Sequence, residues 1–255
     1  MVAALLMVGG LVIAAGCSGP RTGGNLPSLA PSPPTGQTTP GAASPAFNGS
    51  ILLGAPTGSS IRASLLSPDQ SGTATILLGT VPGAYPRASA PVSVSAGAPA
   101  QLTVDNLSPD TQYYYRLQFT ATGAASPAQS PEYRFHTARP PGSTFSFTLQ
   151  ADSHLDENSD LDLYKLTLAN VLADHADFHV DLGDTFMTEK YSAPLSAATV
   201  PAPDQDTVNR RYVYERANYG LMSHSVPLFL VNGNHDGELG WLSGSVSPNL
   251  ATWAT

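Results

Sequence analysis

Asp152 and His154 stand one residue apart at the end of an apolar run. Asp184 follows Gly183, and Asn234 and His235 follow Gly233. Oxygen and imidazole donors without a thiolate suit Fe, Mn, Zn or Mg rather than a soft metal. One such segment arises easily by chance. Three of them, each closing a predicted strand, point to a single metal site.

The elements that must carry these groups follow from periodicity. Phe145, Phe147, Leu149 and Ala151 alternate with small or polar residues, which predicts a strand with one buried face ending at Asp152. A helix comes next, with Ser159 as N-cap, Asp160 and Asp162 at the positive end of the dipole, and Leu161, Tyr164, Leu168, Val171 and Leu172 along one face. A second strand over 177–182 puts Phe178, Val180 and Leu182 on one side and ends at Asp184. A polar insertion over 185–206 leads to a second helix over 207–223, with Val213, Ala217 and Leu221 in line. The third strand, 226–231, is continuously apolar, as a central parallel strand would be. The order β-α-β-α-β implies a mostly parallel sheet whose ligand site lies beyond the carboxyl ends of its strands. All the donors fall at that edge.

Upstream the pattern differs. Short strands are predicted over 61–66, 73–78, 91–94, 100–104, 112–119 and 132–136, separated by turn-rich pieces, which suggests a β-sandwich over 50–138. Leu107-Ser108-Pro109-Asp110-Thr111-Gln112-Tyr113-Tyr114-Tyr115 resembles the L-x-P-x-T-x-Y-x-Y stretch of fibronectin type III modules. That resemblance implies a tyrosine corner at Tyr113. Asp110 and His136 read as turn or surface residues. A stiff hinge, Ala138-Arg139-Pro140-Pro141-Gly142, joins the sandwich to the α/β part, 143–255.

The N-terminus reads as an export signal. Residues 1–16 are apolar, too short for a comfortable membrane span, and run into Ile13-Ala14-Ala15-Gly16-Cys17. This resembles a bacterial lipoprotein cleavage box, implying lipidation of Cys17 and a membrane attachment through that anchor. Residues 18–49 are rich in Pro, Gly, Ser and Thr and read as a linker. Cys17 is the single cysteine, so no intrachain disulfide is possible. The net charge of −8 argues against nucleic acid as a partner. The localisation expected is exported, as an envelope lipoprotein or a secreted protein.

Together D-x-H, G-D and G-N-H-D resemble the calcineurin-like metallophosphoesterase superfamily. A fibronectin-like module just before them is similar to the purple acid phosphatase branch. The fold class implied is multidomain, with an all-β sandwich followed by the first β-α-β-α-β part of an α/β metallophosphoesterase domain. The resemblance implies two metal ions. Asp152 and His154 would hold the first, Asp184 would bridge both, and Asn234 would bind the second. His235 would sit near the leaving group, with Asp236 orienting it. The activity implied is hydrolysis of small phosphate monoesters by attack of a metal-bridging hydroxide. The family pattern continues with a later histidine and a G-H-x-H, which do not occur up to Thr255, so the catalytic domain is expected to be incomplete at its C-terminus and inactive alone. Met187 stands where purple enzymes carry a tyrosine.

The rival function is a surface adhesion or binding lipoprotein with a degenerate metal domain. His175, His179 and His224 are expected to be packed or capping residues rather than ligands. Tyr212, Tyr214 and Tyr219 are expected in the core rather than stacked on a substrate.

Overall fold

The computed structural model describes residues 44–155, 159–185 and 205–236. The expected signal segment with Cys17, most of the linker, Met187 and most of the insertion lie outside the described residues. The elements in chain order are β1 (Ser50–Gly54), β2 (Ile61–Leu66), β3 (Gly72–Gly79), β4 (Arg87–Ala88), β5 (Val92–Val94), β6 (Ala100–Val104), β7 (Gln112–Ala121), β8 (Ala128–Gln129) and β9 (Tyr133–His136). The α/β part follows as β10 (Phe147–Gln150), α1 (Leu161–Ala173), β11 (Phe178–Asp181), α2 (Gln205–Ser223) and β12 (Leu228–Leu230).

Two antiparallel sheets, β1-β2-β6 and β4-β3-β7-β8 with β5 on β3 and β9 on β7, enclose one core. Alternation produces it: Tyr113, Tyr115, Leu117 and Phe119 of β7 point inward, opposite Ile61, Ala63 and Leu65 of β2. Burying each large apolar side chain stabilises the fold by about 1.5–3 kcal/mol. The Tyr113 hydroxyl accepts from Ser108 N at 2.9 Å, tying the start of β7 back to the preceding turn. Sequence periodicity missed β1, β4 and β8. It also placed the linker's end too late, because Ala46 already bridges to Gln129 and the Phe47 ring lies 5.4 Å from that of Phe119.

The third sheet is parallel, in the order β10-β11-β12. Among the described residues β11 is the middle strand of the three, with the continuously apolar β12 beside it. Right-handed crossovers between strands laid down in consecutive order carry both helices to the same face. That face carries Thr148, Gln150, His179, Asp181, Leu228 and Leu230, which are aligned across the registers. Tyr164, Leu168 and Val171 of α1 and Tyr212, Tyr219 and Met222 of α2 pack with Leu228, and Leu230 joins them partly buried.

The opposite face overturns two expectations. Phe147 opposes Phe178, and Leu149 opposes Val180, which opposes Phe229. Phe147 and Leu149 are 52% and 57% exposed, and Phe145, Leu182, Phe229 and Val231 are exposed with them. The alternation holds, but the buried side is the other one, since both helices lie against the more polar face. The same geometry turns α2 over. Val213, Ala217 and Leu221 face outward, while Arg211, Tyr212, Glu215, Arg216, Tyr219 and Met222 are buried. In α1 the N-cap is Asp160, whose carboxylate accepts from Asp162 N and Leu163 N, and Ser159 instead donates its hydroxyl to His154 O at 2.5 Å.

A polar seam joins the antiparallel sheets to α2. Arg216 donates to Ser50 Oγ at 2.8 Å, Ser64 Oγ at 3.0 Å and Ser64 O at 2.7 Å. Tyr115 donates to His224 O at 2.6 Å, and Leu52 of β1 packs into the helix-side cluster. At the hinge, Arg139 donates to Asp177 and Asp110, both at 3.0 Å, and His136 lies 3.5 Å from Asp110. Asp110 and His136 thus belong to an ion cluster between the two parts rather than to an isolated turn.

Candidate metal centre

β10, β11 and β12 are parallel, so their carboxyl ends share one edge, and the loops leaving them are laced together by the backbone. Asp152 N donates to Gly183 O, His154 N to Asp184 O and Leu155 N to Thr185 O, each at 3.0 Å. His235 N donates to Asp184 Oδ1 at 2.9 Å, which brings the third loop onto the second. Such approach needs glycine at two places. A Cβ on Gly183, which has φ +92°, would overlap Gly233 N and Val231 O. One on Gly233 would overlap the Asp184 carboxylate and amide. Asp152, His154 and Asp184 all have positive φ, at 55°, 42° and 52°. Left-handed backbone costs a non-glycine residue about 1–2 kcal/mol, so the surrounding hydrogen bonds must hold this geometry.

The side chains so placed converge. Asp152, His154 and Asp184 offer ligand atoms that all lie within 4.8 Å of one another. His154 Nε2 is 3.3 Å from Asp152 Oδ1 and 3.5 Å from Asp184 Oδ2. It is shielded from solvent and makes no hydrogen bond, although buried polar atoms are almost always partnered. An orphaned imidazole nitrogen between two carboxylate oxygens fits a cation ligated by all three. Exposure of the side chains falls from 69% at Asp152 to 13% at Asp184, so the group opens to solvent on one side only. Asp184 spends Oδ1 on the His235 amide and keeps Oδ2 toward His154.

Asn234 lies exposed in the third loop, next to the His235 amide that binds Asp184. The His235 ring lies with its centroid 5.4 Å from that of His154, edge to face. Asp236 is buried, and its carboxylate is engaged by the loops. Oδ2 accepts from Asp184 N at 2.7 Å and Gly233 N at 2.9 Å, and Oδ1 from Thr185 N at 2.8 Å and Thr185 Oγ at 3.1 Å. Hydrogen bonds to a charged acceptor contribute about 1.5–3 kcal/mol each.

Beneath the site runs a buried polar network that periodicity did not reveal. Asp181 Oδ2 accepts from Tyr219 OH at 2.5 Å and Gln150 Nε2 at 2.6 Å, and its Oδ1 accepts from Gly183 N at 2.9 Å. Tyr164 OH donates to Glu215 Oε1 at 2.5 Å. Burial raises Asp181 above the ordinary carboxylate range. It pushes Glu215 up to about 8, with the Asp181 and Asp236 charges adding to the effect. Glu215 is therefore protonated at neutral pH. A signal existed in the sequence: Asp181 is a carboxylate inside a strand, and a buried one persists only where it is partnered.

The other histidines stay away from the cluster. His179 is fully buried with Nδ1 2.8 Å from Thr148 Oγ, and burial lowers it to about 4. His224 stacks on Tyr133 with centroids 4.0 Å apart and is likewise lowered by burial to about 4. His175 sits at the end of α1, 3.1 Å from Leu172 O. Tyr212 and Tyr219 lie in the core, as expected.

No family model matches the sequence, and no curated protein does. Solved structures do match in fold. A structure of PhoD is 17% identical with a TM-score of 0.53, covering 77% of this chain and 40% of that one. The purple acid phosphatase PPD1 from yellow lupin (Lupinus luteus) seeds is 14% identical with a TM-score of 0.51, covering 83% of this chain and 39% of that one. The chain thus shares a purple acid phosphatase/PhoD-like fold and spans about two fifths of the length of those structures.

Proposed function

We propose that this chain is a metal-dependent phosphoesterase acting on small phosphate monoesters, exported and held at the cell envelope through a lipid on Cys17. The observation that carries the reading is the orphaned His154 Nε2 between Asp152 and Asp184, at the carboxyl edge of a parallel sheet. The fold shared with PhoD and with a purple acid phosphatase supports it. We assign the antiparallel part, with its bond from Ser108 N to the Tyr113 hydroxyl, to a fibronectin type III-like module with no catalytic group.

Asp152, His154 and Asp184 would hold one metal, and Asp184 with Asn234 a second. A divalent or trivalent cation bound there supplies charge for the phosphoryl oxygens and lowers the pKa of bound water. The protein's own residues do the rest. Asn234 is a neutral donor and leaves the positive charge of its site undiminished. We assign the His235 ring, which lies beside that of His154, the role of donating a proton or hydrogen bond to the departing alkoxide. The buried side of the cluster excludes water, while the exposed Asp152 side admits the ester.

The test is a hydrolysis panel of monoesters, diesters and nucleotides on metal-analysed, full-length protein. Metal-dependent release of phosphate from monoesters, lost in Asp184→Asn together with the bound metal, is the expected result. Metal-loaded protein that hydrolyses none of them would overturn the reading and favour a surface-binding lipoprotein.

A further inference from the structure

Asp236 lies in the same loop as Asn234 and His235, yet its carboxylate turns away from the open side of the cluster and into the protein. Three backbone amides and one hydroxyl converge on it: Asp184 N and Gly233 N on Oδ2, Thr185 N and Thr185 Oγ on Oδ1. Its own carbonyl accepts from Tyr212 OH at 3.1 Å, which fastens the loop to α2. Both oxygens are therefore engaged by the two loops that present Asp184 and Asn234. The arrangement is reciprocal, because Asp184 Oδ1 accepts the His235 amide at 2.9 Å. Two carboxylates thus exchange backbone donors across loops so close that neither Gly183 nor Gly233 has room for a Cβ.

We propose that Asp236 is a positioning residue, a preformed clamp that fixes the Asp184 backbone in its left-handed conformation and so aims Asp184 Oδ2 at the site shared with His154. The inference rests on the metal-binding reading of Asp152, His154 and Asp184. Only a side chain of this length that offers acceptor oxygens at both positions satisfies the clamp. Asparagine would retain one acceptor oxygen and point an NH2 group at amides that can only donate. Glutamate would displace the acceptors by one methylene. Because the clamp is made entirely of protein groups, it needs no ion to form.

Two measurements test this on the full chain. In metal-free wild-type protein, the amides of Asp184, Thr185 and Gly233 are expected to exchange with deuterium at least a hundredfold more slowly than unprotected amides. Free exchange there would overturn a preformed clamp, whatever any variant does. In Mn2+ titrations well below the melting temperature, followed by electron paramagnetic resonance, Asp236→Asn is expected to weaken Mn2+ binding at least tenfold in protein shown to be folded by circular dichroism. Thr185→Val, which removes only the hydroxyl, is expected to weaken it less than threefold. A folded Asp236→Asn that binds Mn2+ like wild type, with only its melting temperature lowered, would reduce Asp236 to a structural residue and sink the proposal. Wild-type protein that binds no Mn2+ would instead remove the metal-binding reading beneath it.

Discussion

Replacing Glu215 by glutamine should stabilise this protein relative to wild type increasingly as the pH rises. Burial pushes Glu215 from the ordinary 4.5 up to about 8, helped by the nearby charges of Asp181 and Asp236. Below about pH 4.5 both folded and unfolded chains carry the proton and the site contributes no pH dependence. Between 4.5 and about 8 the unfolded chain releases that proton while the folded chain keeps it, so wild-type stability falls by about 1.4 kcal/mol per pH unit. Above 8 both states are ionised and the deficit is constant, at about 5 kcal/mol in total. Glutamine carries no titrating proton, and its shape retains the acceptor for Tyr164 OH. Its amide nitrogen takes the place of Oε2, which has no hydrogen-bond partner to lose. Asp181 and Asp236 are common to both proteins, so the difference between the two isolates Glu215. Urea unfolding of metal-free wild type and Glu215→Gln at pH 5, 6.5 and 8 reads it directly. The variant is expected to gain about 3–5 kcal/mol on wild type between the first and last pH. A difference of the same size at pH 5 and pH 8 would refute the assignment of a protonated, buried Glu215.

Other expectations concern the seam, the reaction and the anchor. Arg216→Met removes three charge-assisted hydrogen bonds to Ser50 and Ser64 and leaves the Ser64 carbonyl without that donor, so urea denaturation should show a loss of about 3–5 kcal/mol. A loss below 1 kcal/mol would mean the seam contributes little. His235→Ala should keep the bound metal but slow monoester turnover by roughly 10²–10⁴ in the full-length protein. Unchanged turnover would remove the ring from the reaction. Cys17→Ser should move the protein from the membrane fraction to the soluble one, and persistent sedimentation with membranes would point to a different anchor.

What could be read from the chain was largely what repeats locally. The alternation in β10 and β7, the 3.6-residue spacing in α1 and the turn chemistry around Pro109 each depend on neighbours in sequence. The order β-α-β-α-β then placed Asp152, His154 and Asp184 at one edge, and the structure brings those three together. Periodicity could say that Phe147 and Leu149 share a side, but not whether the helices lie against it. It likewise could not say that α2 buries Arg216 and Glu215 while exposing Val213 and Leu221. Charged residues defeat the hydrophobic reading wherever partners come from distant elements, as Ser64 does for Arg216 and Tyr164 for Glu215.

The sequence by itself determined which donors exist and, through strand ends and residue type, that a hard or borderline metal would suit them. Tertiary structure decided the rest: the left-handed backbone at Asp184, the glycine contact between Gly183 and Gly233, and the inward turn of the Asp236 carboxylate. The physical reason is that ligand type is a property of a residue. Ligand aim depends on backbone amides donated by loops about 50 residues apart in the chain.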